Sequence, residues 1–198
     1  FGQDPAIFRA GRYGLGPHTT ALLEKHGFMV DTSLAPRTSF AVEGGPDFAA
    51  CDYDTFWFGR SRRVLELPLC RSVTGWGGHP AEHAYRWLEG AESNHRTRHL
   101  AGLLARMRCA ERITLSPEGN DATAAARLVG SLLRRGRNVL ALSLHSSSLR
   151  VGQNPYVRNK ADLHLFYDQF SAILDTLAER FGVCFVASLE LPGRLSVG

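Results

Sequence analysis

His145 stands at the end of an apolar run and is followed by three serines, in ALSLHSSSL at residues 141 to 149. Val139, Leu140, Ala141, Leu142, Ser143 and Leu144 read as a buried strand of a parallel sheet. Polar residues just past the carboxyl end of such a strand lie where α/β proteins build their sites. Two further pieces combine chemistry with a strand end: FRAGRYG at 8 to 14, with Arg9, Arg12 and Tyr13, and VDTS at 30 to 33, with Asp31. A histidine beside a carboxylate works as a general acid, because the carboxylate favours the charged ring and fixes its tautomer. An arginine in the same place orients a carboxylate or holds an oxyanion. In a parallel architecture the carboxyl ends of the strands share one face, so Arg9 to Tyr13, Asp31 and His145 are expected to converge. The plainer alternative is a strand-end histidine hydrogen-bonded to a turn.

The elements that must position these residues alternate. AIFRA reads as a strand, PHTTALLEKHG as a helix with Pro17 near its start and Gly27 at its end, and FMVD as a second strand. Residues 32 to 62 are rich in loop signals. RVLELPL reads as a strand stopped by Pro68, and CRSVTGWGG as loop. Helices are expected at 80 to 91 and 95 to 108, the second with Leu100, Leu103, Leu104 and Met107 at helical spacing. ERITLSPEG reads as a strand and turn, Asp121 to Arg135 as a helix ended by Gly136, and NVLALSL as the strand before His145. A long amphipathic helix at 160 to 181 carries Leu163, Phe166, Phe170, Ile173, Leu174 and Leu177 on one side, and VCFVASLEL reads as a last strand. The pattern is an α/β one, parallel strands covered by helices, in a single domain over 1 to 198. About residues 40 to 110 break the rhythm as an irregular insertion.

Composition narrows the function classes. Hydrophobic content of 44% and charged content of 21% over 198 residues suit a globular protein with a sizeable core. The net charge is only +4 and the arginines are scattered, with no aromatic-plus-basic module, which speaks against nucleic acid as a partner. No apolar stretch is long enough to span a membrane. None of Cys51, Cys70, Cys109 and Cys184 forms a C-x-x-C pair, so unpaired thiols in a reducing, cytoplasmic compartment are expected, with Cys184 in a buried strand. The chain starts at Phe1 and enters almost directly into a strand, so a preceding N-terminal part is expected.

Other candidates are weaker. GGHPAEH puts His79 and His83 at i, i+4 with Glu82 between them, a metal-ligand spacing without a clear third ligand downstream. His95 and His99 share the spacing, but neighbouring arginines disfavour a cation. Phe56, Trp57, Phe58, Trp76 and Trp87 are expected to plug the side of the fold as a satellite core; exposed, they would stack on sugar faces, with Asp52 and Asp54 on hydroxyls.

Taken in order, FRAGRYG, a helix, HGFMVDTSLAP, then LSLHSSSL, a long helix and a final strand resemble the C-terminal part of the polysaccharide deacetylases. These are the NodB-homology group, carbohydrate esterase family 4, and the resemblance is to the WalW-type branch. It covers nearly the whole chain. It implies a partial, distorted (β/α) barrel and removal of acetyl groups from an N-acetylated carbohydrate, with a divalent metal, zinc foremost, activating water in the full-length protein. It implies His145 as the acid that protonates the leaving amine, Asp31 as the carboxylate tuning it, Arg9 as the orienter of the catalytic base, and the Tyr13 backbone N–H as an oxyanion contact. RAGRY departs from the family's Arg-Pro-Pro-Tyr type, lacking the prolines and carrying one extra residue, so Arg12 competes with Arg9. The family's Asp pair and His-x-x-x-His ligands should precede Arg9, where FGQDPAIF offers only Asp4. The metal site is therefore expected to be incomplete and the chain inactive alone. The alternative is a non-catalytic carbohydrate-binding or scaffold protein of the same fold.

Overall fold

In the computed structural model, residues 2, 4–61, 63–77, 80, 83–85, 87, 100, 102–104, 106–107 and 109–195 are described. The chain divides into two compact units, Phe1–Cys70 with Cys184–Gly198, and Arg71–Val183.

The first unit is built on a four-stranded sheet in the order β1-β2-β4-β3. β1 (Ile7–Phe8), β2 (Val30–Asp31) and β4 (Val64–Glu66) run parallel, and β3 (Phe56–Phe58) closes one side antiparallel to β4. Between β1 and β2 the chain makes the helix α1 (Thr19–Lys25), which buries Leu23 and ends at Gly27, whose φ of +71° suits glycine. Glu24 of α1 accepts from Arg60 N, Ser61 N and Ser61 Oγ and so ties the helix to the turn between β3 and β4. β2 and β4 are buried throughout, as strands covered on both faces must be, whereas β1 lies at the sheet edge with Ile7 exposed. Beyond the strand ends, Leu34, Ala35, Phe48 and Leu69 form a small core against which Tyr13, Leu15, Phe40 and Cys51 pack.

The second unit pairs β5 (Arg71–Thr74) and β6 (Glu111–Thr114) antiparallel, packed with the helices α2 (Ala122–Arg134) and α3 (Lys160–Phe181). α2 contacts both strands and the longer α3. Each helix starts on a side-chain cap: Asp121 Oδ1 accepts from Ala124 N at 2.7 Å, and Asn159 Oδ1 from Asp162 N at 2.9 Å. Ala124, Ala125 and Ala126 are all buried, small enough for close approach, with Leu128, Val129 and Leu132 filling the rest of the face. α3 buries Phe166, Ile173 and Leu177 at helical spacing and stops at Gly182.

A sheet with parallel strands and helices are present among the described residues, but no closed barrel is. CRSVTGWGG, expected as loop, contains β5: Ser72, Val73 and Thr74 bury against β6, a partner nearly 40 residues on that local turn signals do not reveal. NVLALSL and VCFVASLEL fail in the opposite direction. Residues 137–145 form no ladder and 139–144 are only half-buried; residues 182–187 also lack a ladder, and Cys184 and Phe185 are exposed rather than buried. An apolar run becomes a strand only with a ladder to a neighbouring strand; among the described residues neither run forms one, although Ser143 N donates to Leu115 O at 3.1 Å. The helices expected at 80 to 91 and 95 to 108 fall mostly outside the described residues; those described at 83–85 and 102–104 are helical. Trp76 and Trp87 are not a satellite core: they are 72% and 70% exposed, with Trp76 Nε1 donating to Met107 O at 2.8 Å. None of the four cysteines is in a disulfide.

Candidate functional site

The turn after β6, LSPEG, and the turn after residues 137–144 meet in the second unit. Glu118 comes from the first turn and His145 from the second. Glu118 Oε2 lies 2.7 Å from His145 Nδ1, and Glu118 Oε1 accepts from the His145 backbone N–H at 2.8 Å. The buried Ser148 hydroxyl also donates to Oε1. Asn154 supports it from behind: Nδ2 donates to Ser148 Oγ at 2.6 Å and to Ser147 Oγ at 3.4 Å, while Oδ1 accepts from Tyr156 N and Val157 N. The serines follow His145 because residues 146–149 make a 3-10 turn, closed by Ser148 N on His145 O, which swings Ser148 back under Glu118.

The electrostatics divide the pair into an anchor and a tool. The Glu118 side chain is 7% exposed and that of His145 76%. Burial works to raise the Glu118 carboxyl, but hydrogen bonds from Ser148 and His145, with the His145 charge, outweigh it and hold the group below the usual carboxylate range. An ionised carboxylate at Nδ1 requires a proton on Nδ1, so Nε2 is the nitrogen that exchanges protons with solvent or substrate. That is the arrangement of a positioned general acid or base.

In the first unit, Asp31 ends β2 at 1% exposure. Its Oδ1 accepts from Ser33 N at 3.0 Å and from Ser33 Oγ, and Glu66 bonds to its carboxylate. The carboxylate on His145 is thus Glu118, and the neighbours of Asp31 are Ser33 and Glu66. Arg9 is exposed, its guanidinium 5.5 Å above the Tyr13 ring and Nη2 3.4 Å from Tyr13 Oη. Tyr13 stacks on Phe40, and its backbone N–H donates to Ala10 O at 3.1 Å, so that amide is committed within its own turn. Arg12 and Tyr13 both have left-handed backbone, with φ of +52° and +57°, an uncommon pair for residues bearing side chains. Arg9 thus contacts Tyr13, and Arg12 makes an exposed pair with Glu43.

Glu118, Ser148 and Asn154 were not singled out from the sequence. The usable signal for Glu118 was a carboxylate just after a strand, where its only visible duty was to sit in a turn. Of the decoys, His83 is exposed, while His79, Glu82, His95 and His99 lie outside the described residues. Asp52 pairs with Arg37 at 3.3 Å. No group of three or more His, Cys, Asp or Glu among the described residues is placed to hold a metal ion, so the metal implied by the resemblance finds no ligand set there. No helix among the described residues is long and apolar enough to cross a membrane.

Fold and site together define a mixed α/β protein with a carboxylate-positioned, solvent-facing histidine. Comparison with family models, with curated proteins and with solved structures gave no match to this chain.

Proposed function

We propose that the chain is the C-terminal portion of a polysaccharide deacetylase-like hydrolase of (β/α)-barrel type, and that His145 is its general acid. The observation that carries this is the Glu118–His145 pair, with Nδ1 held at 2.7 Å and the ring otherwise in solvent, in the motif whose histidine the resemblance assigns to that role. In hydrolysis of an N-acetylated sugar, water adds to the acetamide carbonyl, the C–N bond breaks, and the departing nitrogen takes a proton. His145 Nε2–H supplies that proton, and Glu118 holds the imidazolium from which it leaves. The unladdered apolar runs at 139–144 and 183–187 fit strands that a barrel would pair.

The test is acetate release from N-acetylated chito-oligosaccharides by the full gene product. His145→Ala should lower kcat by about 10²- to 10⁴-fold. Activity that ignores His145 sinks the reading. The second reading, non-catalytic carbohydrate binding, is favoured by the exposed Trp76 and Trp87 rings. It expects sugar binding that a chelator leaves intact and that Trp76→Ala weakens.

A further inference from the structure

Two carboxyl groups lie side by side at the ends of β2 and β4. Asp31 and Glu66 are register partners on adjacent parallel strands, 1% and 2% exposed. The groups facing Glu66 are few. β2 contributes Asp31, β3 puts Phe56 opposite, and residue 34 contributes its backbone amide. No cation faces Glu66 among the described residues.

Two carboxylates in a dry site without a cation cannot both ionise, so the pair must keep a proton. Burial, then the neighbouring Asp31 charge, push the Glu66 carboxyl up to about 9. Burial also raises Asp31, but bonds from Ser33 and Glu66 oppose it. The proton therefore sits on Glu66, which donates it to Asp31. The other bonds spread outward. Glu66 Oε1 accepts from Leu34 N at 3.0 Å, Ser33 Oγ donates to Asp31, and the same Ser33 oxygen accepts from Ala10 N at 2.8 Å. Ala10 lies between Arg9 and Tyr13. One proton thus completes a bonded chain from the end of β1 through β2 to β4.

We infer that Asp31 and Glu66 form a proton-dependent bolt that holds these three strand ends and the turn carrying Arg9 to Tyr13, and that opening this end releases the shared proton to solvent. This does not depend on the deacetylase reading; it needs only the pair and its partners.

Amide hydrogen exchange of Ala10 and Leu34, followed between pH 5.5 and 8, tests it. Ordinary base-catalysed exchange rises about tenfold per pH unit, and an opening that releases one proton adds another decade, giving about a hundredfold per unit. Glu66→Gln keeps a neutral donor and acceptor in the same space and should return both amides to about tenfold per unit. A tenfold slope in the unsubstituted protein, or a hundredfold slope that survives Glu66→Gln, overturns the bolt. Infrared spectroscopy of the unsubstituted protein gives a check that needs no variant. At pH 7 a protonated-carboxyl C=O band should be present and should vanish as the pH rises past about 9. Its absence at pH 7 overturns the bolt as well.

Discussion

Glu66 and Glu118 are both carboxylates at or near a strand end, both shielded from water, and their surroundings drive them to opposite states. Glu66 meets another carboxylate and one backbone amide, and keeps its proton. Glu118 meets three donors, Ser148 Oγ, His145 N and the His145 ring, and gives its proton up. Desolvation acts on both; the donors decide the outcome. The difference separates their uses. The singly protonated pair in the first unit has no exposed member and serves to hold strand ends. The ionised carboxylate in the second unit carries an exposed imidazole and serves to aim it.

The widest expected effect falls on the singly protonated pair. The folded-state value for Glu66, about 9, lies above its ordinary 4.5, so between these limits the unfolded chain releases a proton that the folded one retains. Stability conferred by this group is therefore complete below 4.5 and falls as pH rises, by about 1.4 kcal/mol per unit, or roughly 3 kcal/mol from pH 6 to 8. Urea unfolding across that range should show the decline, and Glu66→Gln should flatten it; parallel curves would mean that Glu66 titrates normally. On the other side of the comparison, Glu118→Ala strips three donors of their acceptor and leaves the Ser148 hydroxyl buried. A loss of about 2 to 4 kcal/mol is expected, together with a nitrogen NMR spectrum of His145 no longer held as the Nδ1–H tautomer. If the tautomer survives Glu118→Ala, something other than Glu118 orients the ring.

Smaller effects refine the contrast. Asn154→Ala removes the support behind Ser148 and two backbone caps, at about 1 to 2 kcal/mol by denaturant unfolding. The same change should leave the pH slope attributed to Glu66 untouched, and a shift there would show the two clusters to be coupled. Arg12→Gly relieves a left-handed backbone at the loss of only an exposed ion pair. It should raise the melting temperature through a gain of about 1 kcal/mol.

Most helical structure was legible from the residues because its signals are local. Asp121 and Asn159 announce the starts of α2 and α3, Gly182 the end of α3, and the apolar spacing within α3 names its buried face. Strands were legible only where a partner stood ready. Val30 and Asp31 pair on both sides, whereas the apolar run at 139–144 forms no ladder among the described residues.

The sites divide along the same line. His145 could be picked out from its place after an apolar run, and Asp31 from its place at a strand end. Their carboxylate partners could not, because Glu118 lies 27 residues from His145 and Glu66 lies 35 from Asp31 (66 − 31). By itself the sequence determined residue types, caps and periodicities, which act over a few positions along the chain. Which carboxylate keeps its proton and which loses it was decided by the tertiary structure, since desolvation and donor count depend on groups that only folding brings within hydrogen-bonding distance.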